Sequence, residues 1–509
     1  SSGRTALTGH ALRVAAGSPL ARLLPRRFME EHVVLPVGEE DGRVVVARGR
    51  ALDATVVDEL CWAFRKPVRL VDAAAAEIQA AIMAATEEGG RAGAEDDVEV
   101  VADDAGALDD ARALASQAPV IRLVNVMILE ALRARASDLH LEATPDGLRV
   151  RHRIDGVLHD VSRPPRPYQA AVVSRIKIMA KLNIAERRRP QDGRIRLRLS
   201  ERDVDVRVST LPSVHGESVV LRILDRGEQV PDLTALGMPE AMLASFRRVL
   251  RQPTGIVLVT GPTGSGKTTT LYAALQDVHA PDMKLITVED PVEYQIEGVT
   301  QVPADERAGA GFATLLRSLL RHDPDILMVG EMRDAETARV AIQSALTGHL
   351  VFSTLHTNDA PSGITRLFDM GIEPYLVAAT VQAVLAQRLV RVVCHRCARP
   401  VEPAPGDLAG LEVPQEWAAQ DPPARFRRGS GCDQCSGTGY QGRTGLFELM
   451  LVDDRLRSLI ASGAPLDSLR EAAGQAGMKP LRWDGFAKAR AGATTLEEVL
   501  RVTREHDAP

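Results

Sequence analysis

Aromatic residues are scarce in this sequence, at 3% of its 509 residues. Proteins that bind single-stranded nucleic acid stack bases on aromatic side chains and are usually basic, so this scarcity and the net charge of −6 both disfavour such a role. Long apolar runs are also absent. The segment that comes nearest to the apolar length of a transmembrane helix, residues 376–393, is interrupted by Gln382, Gln387, Arg388 and Arg391. We therefore expect a soluble protein without a transmembrane helix.

Cysteine is rarer still, with five residues in the chain. Four of them form two C-x-x-C pairs, Cys394 with Cys397 and Cys432 with Cys435, whereas Cys61 stands alone. This pattern favours a structural Zn²⁺ site with four thiolate ligands over a disulfide framework, with reduced, metal-free thiols as the alternative. The first residues include no apolar signal core, and so we expect a location in the cytoplasm.

The chain is too long for one hydrophobic core, and its composition changes several times along its length. Strand-like and helical patterns predict two α+β domains and then an α/β domain in which strand, glycine turn and helix repeat. The predicted segments are an α+β domain at 1–86, an acidic flexible linker at 87–117, a second α+β domain at 118–226, a hinge at 227–240, an α/β domain at 241–388, a cysteine-containing segment at 389–441 and a helical tail at 442–509. In the tail, Thr495 and Glu498 predict a capping box at the start of a helix.

Arginine is concentrated in residues 187–210, where eight arginines lie in a stretch that predicts two strands. Arg194, Arg196 and Arg198 alternate with apolar residues, so one face of the sheet should be apolar and the other a row of guanidinium groups. Such a row is either a solvated or subunit-contact face, or a surface that faces an anion.

A phosphate-binding loop follows a predicted buried strand at residues 256–260 and precedes a predicted helix. Its G-x4-G-K-T pattern lets backbone N–H groups surround phosphate, brings a lysine to the β- and γ-phosphates, and offers Mg²⁺ a hydroxyl ligand at a helix N-terminus. The predicted nucleotide-binding residues here are Gly261, Pro262, Thr263, Gly264, Ser265, Gly266, Lys267, Thr268 and Thr269, with Thr268 as the Mg²⁺ ligand. The pattern therefore predicts a site for the phosphates of a nucleotide.

Carboxylates follow two further predicted strands. Glu331 comes after the apolar residues 326–329, in the place of the aspartate that usually ends such a strand, and we expect it to order Mg²⁺ through water. Glu289, Asp290 and Glu293 lie at the end of another apolar strand, where an α/β sheet places its ligand, although acidic residues there also serve as helix caps.

His349 and His356 flank one more apolar strand. Their separation along an extended strand exceeds about 20 Å, so they are not joint ligands of one metal ion. Two interpretations stay open for each histidine: a hydrogen-bonded structural residue, or a contact with the γ-phosphate of a nucleotide.

The order of these motifs resembles the ATPases of type II secretion and type IV pilus systems, and GspE-like type II secretion ATPases most of all. The first hundred or so residues match that pattern only loosely. The segments that carry the resemblance are RASDLHLEATPDGLRVRHRIDG, RRPQDGR, DVRVSTLPSVHGESVVLRIL, GPTGSGKTT, TVEDPVEY, LLRHDPDILMVGEMRD and TGHLVFSTLHTNDA, followed by the cysteine pairs.

This resemblance implies a RecA-like P-loop ATPase domain preceded by two α+β domains, the second PAS-like, with a Zn²⁺-binding insertion and a helical C-terminal tail. The implied cofactors are ATP, Mg²⁺ and Zn²⁺. The implied site residues are Glu293 as general base, Lys267, Glu331, Arg207, Arg222, Arg317 and Arg321 as further catalytic residues, Glu289, Asp290, His349 and His356 at the nucleotide, and Cys394, Cys397, Cys432 and Cys435 at zinc. Whether Arg207 and Arg222 act in their own subunit or in a neighbour stays open.

The resemblance further implies a homo-oligomer, a hexamer, in which nucleotide lies between the second α+β domain and the RecA-like domain. Residues 1–86 would dock onto the cytoplasmic domain of a GspL-like inner-membrane platform protein, with acidic phospholipid as a further candidate contact and no nucleic acid. The expected function is ATP hydrolysis that powers type II secretion through pseudopilus assembly. Alternatives are a type IV pilus assembly ATPase, a nucleic-acid translocase, and a zinc-containing scaffold with degenerate nucleotide binding.

Overall fold

The described residues cover most of the chain after the first α+β segment. The computed structural model describes residues 26–53, 66–87, 98–100, 118–199, 202–225, 230–403 and 425–503, together with single or paired positions between residues 12 and 64. Most of the predicted linker, the border between the second domain and the hinge at residues 226–229, and residues 404–424 of the cysteine segment lie outside these ranges.

A three-stranded sheet forms the first unit. Its strands are β1 (Val34–Glu40), β2 (Arg43–Arg48) and β3 (Val68–Asp72), with β1 antiparallel and β3 parallel to the central β2. Helices α1 (Arg26–His32) and α2 (Ala75–Glu87) accompany this sheet and share its apolar core. The unit is α+β, in the region where an α+β domain is predicted.

A seven-stranded antiparallel sheet in the order β4-β8-β9-β10-β5-β6-β7 forms the second unit. Its strands are β4 (Val98–Val100), β5 (Asp138–Thr144), β6 (Gly147–Ile154), β7 (Val157–Ser162), β8 (Gln191–Leu199), β9 (Arg202–Ser213) and β10 (Gly216–Asp225). Helices α3 (Ala118–Arg133) and α4 (Arg166–Met179) pack on its apolar face. Strand β4 comes from within the predicted linker, so these three residues extend the sheet instead of belonging to a free connection.

The opposite face of this sheet carries a row of arginines. Along β8, Arg194, Arg196 and Arg198 are exposed, while the intervening Ile195 and Leu197 are buried, as the alternation predicts. Cross-strand partners share a face, and Arg194 is opposite Arg207, which is in turn opposite Arg222. The row therefore crosses three strands.

The third unit is a seven-stranded sheet in the order β13-β12-β14-β15-β11-β16-β19, parallel except for β19. Its strands are β11 (Gly255–Thr260), β12 (Leu285–Glu289), β13 (Val299–Pro303), β14 (Ile326–Val329), β15 (Leu350–Leu355), β16 (Val381–Val393) and β19 (Tyr440–Leu451). Its helices are α5 (Glu240–Leu250), α6 (Lys267–Val278), α7 (Phe312–Leu319), α8 (Ala335–Leu346), α9 (Ala360–Asp369) and α10 (Pro374–Thr380). Strands β11, β12, β14 and β15 are buried throughout, as expected for a parallel sheet covered on both faces.

The cysteine segment is an excursion between two paired strands of this sheet. Strand β16 continues past the predicted boundary at residue 388, and β19 crosses the predicted boundary at residue 441. Within the excursion, β17 (Ala398–Pro400) pairs with β18 (Arg427–Gly429). Because β16 and β19 pair with each other, the sheet holds both ends of the cysteine segment.

Four helices follow the sheet: α11 (Asp454–Ala461), α12 (Leu466–Gln475), α13 (Leu481–Arg490) and α14 (Leu496–Thr503). Leu469, Phe486 and Val499 from these helices belong to the same buried cluster as Val384 and Leu446 of the sheet. The C-terminal helices therefore pack on the sheet of the third unit.

The first turn of α14 shows one half of the predicted capping box. Thr495 Oγ1 accepts a hydrogen bond from the backbone N–H of Glu498 at 3.2 Å. The Glu498 carboxylate instead accepts from Arg391 at 2.9 Å and from Arg501 at 2.6 Å. Since Arg391 lies on β16, Glu498 attaches the last helix to the strand that leads to the cysteines.

The second and third units are in direct contact. Asp155 Oδ2, in the turn between β6 and β7, accepts a hydrogen bond from the backbone N–H of Gly442 at 2.9 Å, and its Oδ1 lies 3.7 Å from Arg443 Nε. The described part of the predicted hinge, residues 230–239, packs on the third unit, where Leu233 is fully buried. This part of the predicted hinge therefore belongs to the third unit.

Within the described ranges, no helix is both long and apolar enough to cross a membrane.

Candidate nucleotide and metal sites

The phosphate loop joins β11 to α6 at the carboxyl edge of the parallel sheet. Gly261 and Gly266 have positive φ angles of 149° and 85°, a region that residues with a Cβ disfavour. A Cβ on Gly261 would lie 2.4 Å from the carbonyl oxygen of Gln387, and one on Gly266 would lie 2.8 Å from Gln387 Nε2. The loop therefore needs glycine both for its conformation and for its close approach to β16.

Lys267 begins α6, and its ammonium group lies inside the loop. Its Nζ donates hydrogen bonds to the carbonyl oxygens of Gly261 at 2.8 Å and Pro262 at 3.1 Å, and the residue is 8% exposed. Burial lowers the pKa of Lys267 to about 8, while the charge of Glu331 opposes this shift and that of Arg388 adds to it. A cation held within the loop is placed to neutralise phosphate.

Glu331 follows β14, next to the strand end that carries His356. Its Oε1 lies 2.6 Å from Arg333, and its Oε2 lies 3.5 Å from His356 Nε2. Burial is the largest cause that lowers the pKa of His356, with Lys267 acting in the same direction and Glu331 opposing it. Strands β14, β15 and β11 are neighbours, so the structure brings Lys267, Glu331 and His356 together at one edge.

Glu289, the last residue of β12, is 3% exposed and points into the core. Its carboxylate accepts hydrogen bonds from the hydroxyl of Tyr272, from Thr287 Oγ1 at 2.5 Å and from Gln301 Nε2 at 3.0 Å. Because three donors already occupy this carboxylate, its geometry fits a supporting residue better than the predicted direct contact with nucleotide.

Glu293 is positioned by the same tyrosine. Its backbone N–H donates to Tyr272 Oη at 3.3 Å, and its side chain is half-buried. Burial raises the pKa of Glu293, while the charges of Arg207 and Arg222 oppose that shift and Glu289 reinforces it. A carboxylate with a raised pKa is suited to accept a proton.

Arg207 and Arg222 belong to the arginine row of the second unit and face Glu293 of the third unit. Burial lowers the pKa of Arg207, with Glu293 opposing this shift and Arg194 reinforcing it. Arg222 is exposed, and its Nε donates to Asp138 Oδ1 at 2.9 Å. The structure thus brings both arginines towards the predicted base within a single chain.

Arg317 and Arg321 are placed differently. Arg317 lies on α7 and donates to Glu336 of α8 at 2.7 Å, and Arg321 donates to the carbonyl oxygen of Arg317 at 3.1 Å. Both arginines are exposed, and neither contacts the phosphate loop within the described ranges.

His349 precedes β15, whereas His356 follows it, so the two lie at opposite edges of the sheet. The Nδ1 of His349 is 2.9 Å from the carbonyl oxygen of Ser344. This geometry favours the structural interpretation for His349, because the phosphate loop is at the other edge. Asp290 is exposed at that loop edge. The pKa of Arg333 is raised mainly by the hydrogen bond that Arg333 donates to Glu331, and the charge of Asp290 adds to this rise.

The four paired cysteines form a compact cluster in which all Sγ atoms lie within 4.8 Å of one another. The Sγ of Cys394 is 3.9 Å from that of Cys432, and the Sγ of Cys397 is 3.8 Å from that of Cys435. A tetrahedral ion with Zn–S bonds of about 2.3 Å requires sulfur atoms about 3.8 Å apart. The cluster therefore fits Zn²⁺ with no open position, and these separations exclude a disulfide.

Backbone groups support thiolate character in this cluster. The N–H groups of Cys432 and Gly439 donate to Cys435 Sγ at 3.2 and 3.3 Å. Burial raises the pKa of Cys435, but these two hydrogen bonds, together with hydrogen bonds from the thiols of Cys432 and Cys397, outweigh it and lower the pKa to about 6. A thiolate is the form that binds zinc.

The site also contains residues that the motifs do not identify. Gln387 packs behind the phosphate loop, Tyr272 holds Glu293, and Arg388 donates to Asn358 Oδ1 at 2.9 Å beside the loop. The available signal for Gln387 and Arg388 was their position as adjacent polar residues inside a largely apolar strand. No sequence signal distinguished Tyr272 from an ordinary core residue.

Comparison with known proteins covers most of the chain. The sequence profile of the family described as Type II/IV secretion system protein matches residues 113–501, and that of the MshEN domain matches residues 11–92. The type II secretion system protein E of Xanthomonas campestris pv. campestris is 49% identical over 495 residues, which are 96% of this chain and 86% of that protein. The type IV pilus assembly ATPase PilB of Myxococcus xanthus is 42% identical over 492 residues, which are 95% of this chain and 86% of that protein.

Solved structures agree with this assignment. The pilus retraction motor PilT, crystallised with ADP, is 25% identical with a TM-score of 0.52 over 75% of this chain and 97% of that chain. The ATPase DotB of Legionella pneumophila has a TM-score of 0.55 over 75% of this chain and 95% of that chain, at 20% identity, and shares the fold. Since the matched family profile includes the phosphate loop, Glu331 and all four paired cysteines, the chain belongs to the type II/IV secretion system protein family of ATPases.

Proposed function

We propose that this protein is the ATPase of a type II secretion system and that its hydrolysis of ATP powers protein secretion through pseudopilus assembly. One observation carries the proposal: Lys267, Glu331 and His356 converge at the sheet edge while Arg207 and Arg222 of another unit face Glu293. The 49% identity to a type II secretion system protein E supports the choice of system.

The phosphate loop and Lys267 would hold the β- and γ-phosphates of ATP. Thr268, on the first turn of α6, and Glu331 offer a hydroxyl and a carboxylate, the oxygen ligands that Mg²⁺ prefers. When bound there, Mg²⁺ neutralises charge on the phosphate oxygens. Arg333 keeps the Glu331 carboxylate in place, and His356 faces the same space from the next strand.

Glu293 is the proposed general base. Its raised pKa favours uptake of a proton from the attacking water, and the hydrogen bond to Tyr272 fixes its backbone. Arg207 and Arg222 would then stabilise the charge on the transferred phosphoryl group, since such transfer depends on charge stabilisation more than on covalent help. Closing the second unit on the nucleotide, and releasing it after hydrolysis, would be the step that performs mechanical work.

The proposed assembly is a hexamer. The exposure of Arg317 and Arg321, and their lack of contact with the loop of their own chain in the described ranges, support a role at the nucleotide of a neighbouring subunit. Residues 1–86 would dock onto the cytoplasmic domain of a GspL-like platform protein, with acidic phospholipid as a second contact, so the protein would be cytoplasmic and peripheral to the inner membrane. The MshEN match at residues 11–92 supports a protein-contact role for this region.

The test is ATP hydrolysis by the full chain, measured alone, with vesicles of acidic phospholipid, and with the cytoplasmic domain of the platform protein from the same genome. We expect vesicles and platform protein together to raise kcat, and Lys267→Ala to abolish hydrolysis in every mixture. Stimulation by single-stranded DNA, and none by the platform protein, would contradict the proposal and favour a nucleic-acid translocase.

A type IV pilus assembly ATPase is the second candidate, which the 42% identity to PilB supports. The same assay distinguishes it when the platform protein of a pilus system replaces that of the secretion system. Stronger stimulation by the pilus component would favour this alternative.

A further inference from the structure

A buried carboxylate, Glu448, lies on β19 behind the nucleotide site. The residue is 4% exposed, and the strand register pairs it with Ala386 of β16, one residue before Gln387. Buried carboxylates are costly unless their oxygens are satisfied. The hydrogen-bond partners of the Glu448 carboxylate therefore indicate its role.

The two oxygens of Glu448 bind the first residues of two different helices. One accepts a hydrogen bond from the backbone N–H of Ala360, at the start of α9, at 2.7 Å. The other accepts from the backbone N–H of Leu481, at the start of α13, at 3.3 Å. The first N–H groups of a helix have no partner within it, and the residue before α13 is Pro480, which supplies no side-chain cap. Glu448 thus caps both helices from outside.

The segment that leads into α9 is bonded to the phosphate-loop strand. Thr357 follows His356, and its Oγ1 lies 2.7 Å from Oγ1 of Thr260, the last residue of β11. The backbone N–H of Thr357 also donates to Thr260 Oγ1 at 2.9 Å. Residues 356–359 are therefore attached to the ATP site at one end and, through Ala360, to Glu448 at the other.

Asp359 adds a second attachment to the C-terminal helices. Its carboxylate caps α9 by accepting from the backbone N–H of Ser362 at 2.8 Å, and it accepts from Arg470 of α12 at 2.9 and 2.6 Å. The same short segment is thereby bonded to α12 through Arg470 and to α13 through Glu448.

We propose that Glu448 is a positioning residue for ATP hydrolysis, which couples residues 356–359 at the nucleotide to the docking of the C-terminal helices. A movement of residues 356–359 at the nucleotide should then be accompanied by a shift in the position of α13, because the Glu448 carboxylate is hydrogen-bonded to the start of α9 and to the start of α13. The inference rests on the proposed nucleotide site and adds a route by which that site communicates with the end of the chain.

The charges around Glu448 give the coupling a pH dependence. Burial raises the pKa of Glu448 to about 7, the negative charge of Asp359 adds to this shift, and Arg470 opposes it. Asp467 lies 3.6 Å from Arg470, and Asp484 pairs with Lys488 on α13. The other charged side chains of the three helices are Arg366, Asp369, Glu471, Arg482 and Arg490. A protonated carboxyl group loses acceptor capacity, so the bridge between the helices weakens as the pH falls through about 7.

The test uses the full-length protein and measures kcat and KM for ATP across this pH range. In the wild type, we expect kcat to fall as the pH drops through about 7, with KM nearly constant. In Glu448→Gln, which keeps the size but not both acceptors, kcat should be about tenfold lower and lose this pH dependence. The matched control is Glu471→Gln, an exposed glutamate on α12, which should behave as wild type.

A second variant separates positioning from simple stabilisation. Because Arg470 lowers the pKa of Glu448, Arg470→Gln should move the fall in kcat to higher pH. Hydrogen exchange adds a direct readout: an ATP analogue should slow exchange at the N–H of Leu481 in the wild type and not in Glu448→Gln.

Each outcome decides the inference. Wild-type kcat and an unchanged pH profile in Glu448→Gln would overturn it. Should Glu448→Gln unfold in a thermal melt, the Arg470→Gln profile decides, and a fall in kcat that stays at the wild-type pH would overturn the inference. A wild-type protein without hydrolysis would instead contradict the proposed function.

Discussion

Gln387 lies directly behind the phosphate loop, and its side-chain carbonyl accepts a hydrogen bond from Thr270 Oγ1 at 2.7 Å. Gln387 is 2% exposed and Thr270 is fully buried, so water does not compete for this bond. The backbone carbonyl oxygen of Gln387 faces Gly261, and the side-chain amide nitrogen of Gln387 faces Gly266. One residue of β16 therefore supports both ends of the loop.

Gln387→Met should weaken both folding and catalysis. The change keeps most of the volume but leaves the hydroxyl of Thr270 buried without its acceptor, which should lower the free energy of unfolding by about 1–3 kcal/mol and kcat/KM by about tenfold. Denaturant unfolding and steady-state kinetics measure the two effects. Thr270→Val removes the other partner, so the double variant should lose less than the sum of the single changes, and strict additivity would contradict the pairing.

ATP affinity should fall as the pH rises through about 8, the pKa to which burial lowers Lys267. Below that pH the amine is charged and attracts phosphate, and bound phosphate raises the pKa again, so binding above pH 8 must take up a proton. Folding without nucleotide has the opposite pH dependence. The unfolded chain keeps the Lys267 proton to higher pH than the folded chain does, so the free energy of unfolding increases as the pH rises above about 8. Calorimetry in buffers of different ionisation enthalpy measures the uptake, and Lys267→Met should show none.

The parts of the site that follow from parallel-sheet geometry could be predicted from the sequence. Lys267, Glu331 and His356 each follow an apolar strand, and the carboxyl ends of adjacent parallel strands share an edge. The motifs could not specify the direction of Glu289, because donors on other elements, Tyr272 and Gln301, join Thr287 of the same strand in holding its carboxylate in the core. Glu448 was invisible for a similar reason: its partners are backbone N–H groups of two helices, which leave no pattern in the sequence.

Arg207→Gln should lower kcat by about a hundredfold or more, since guanidinium groups at the transferred phosphoryl group contribute at least that much in related chemistry. The loss of this charge should also raise the pKa of Glu293 further, so the acid limb of the pH–rate profile should move to higher pH. Arg196→Gln is the matched control, because Arg196 is an exposed member of the row on β8. Equal effects of the two changes would contradict a specific role for Arg207.

Mixed oligomers test whether Arg207 acts in its own subunit. The charges of Arg207 and Glu293 act on each other within one chain, so mixing Arg207→Ala with Lys267→Ala subunits should leave no complete site and give a rate no higher than the mean of the parents. A mixture that hydrolyses ATP faster than either parent would show that the arginine completes the site of a neighbour.

Replacement of Cys435, a predicted zinc ligand, should prevent metal binding and loosen the end of the chain. We expect one Zn²⁺ per wild-type chain by elemental analysis, and its loss in Cys435→Ser, since three thiolates leave the tetrahedron open. A metal at this site would join the two cysteine pairs between β16 and β19, and Arg391 of β16 binds Glu498 of α14, so the melting temperature should fall and α14 should exchange its amides faster. Cys61→Ser, at a cysteine outside the cluster, should retain zinc and stability. A Cys435→Ser protein with full zinc content would show that the four thiols do not form the site.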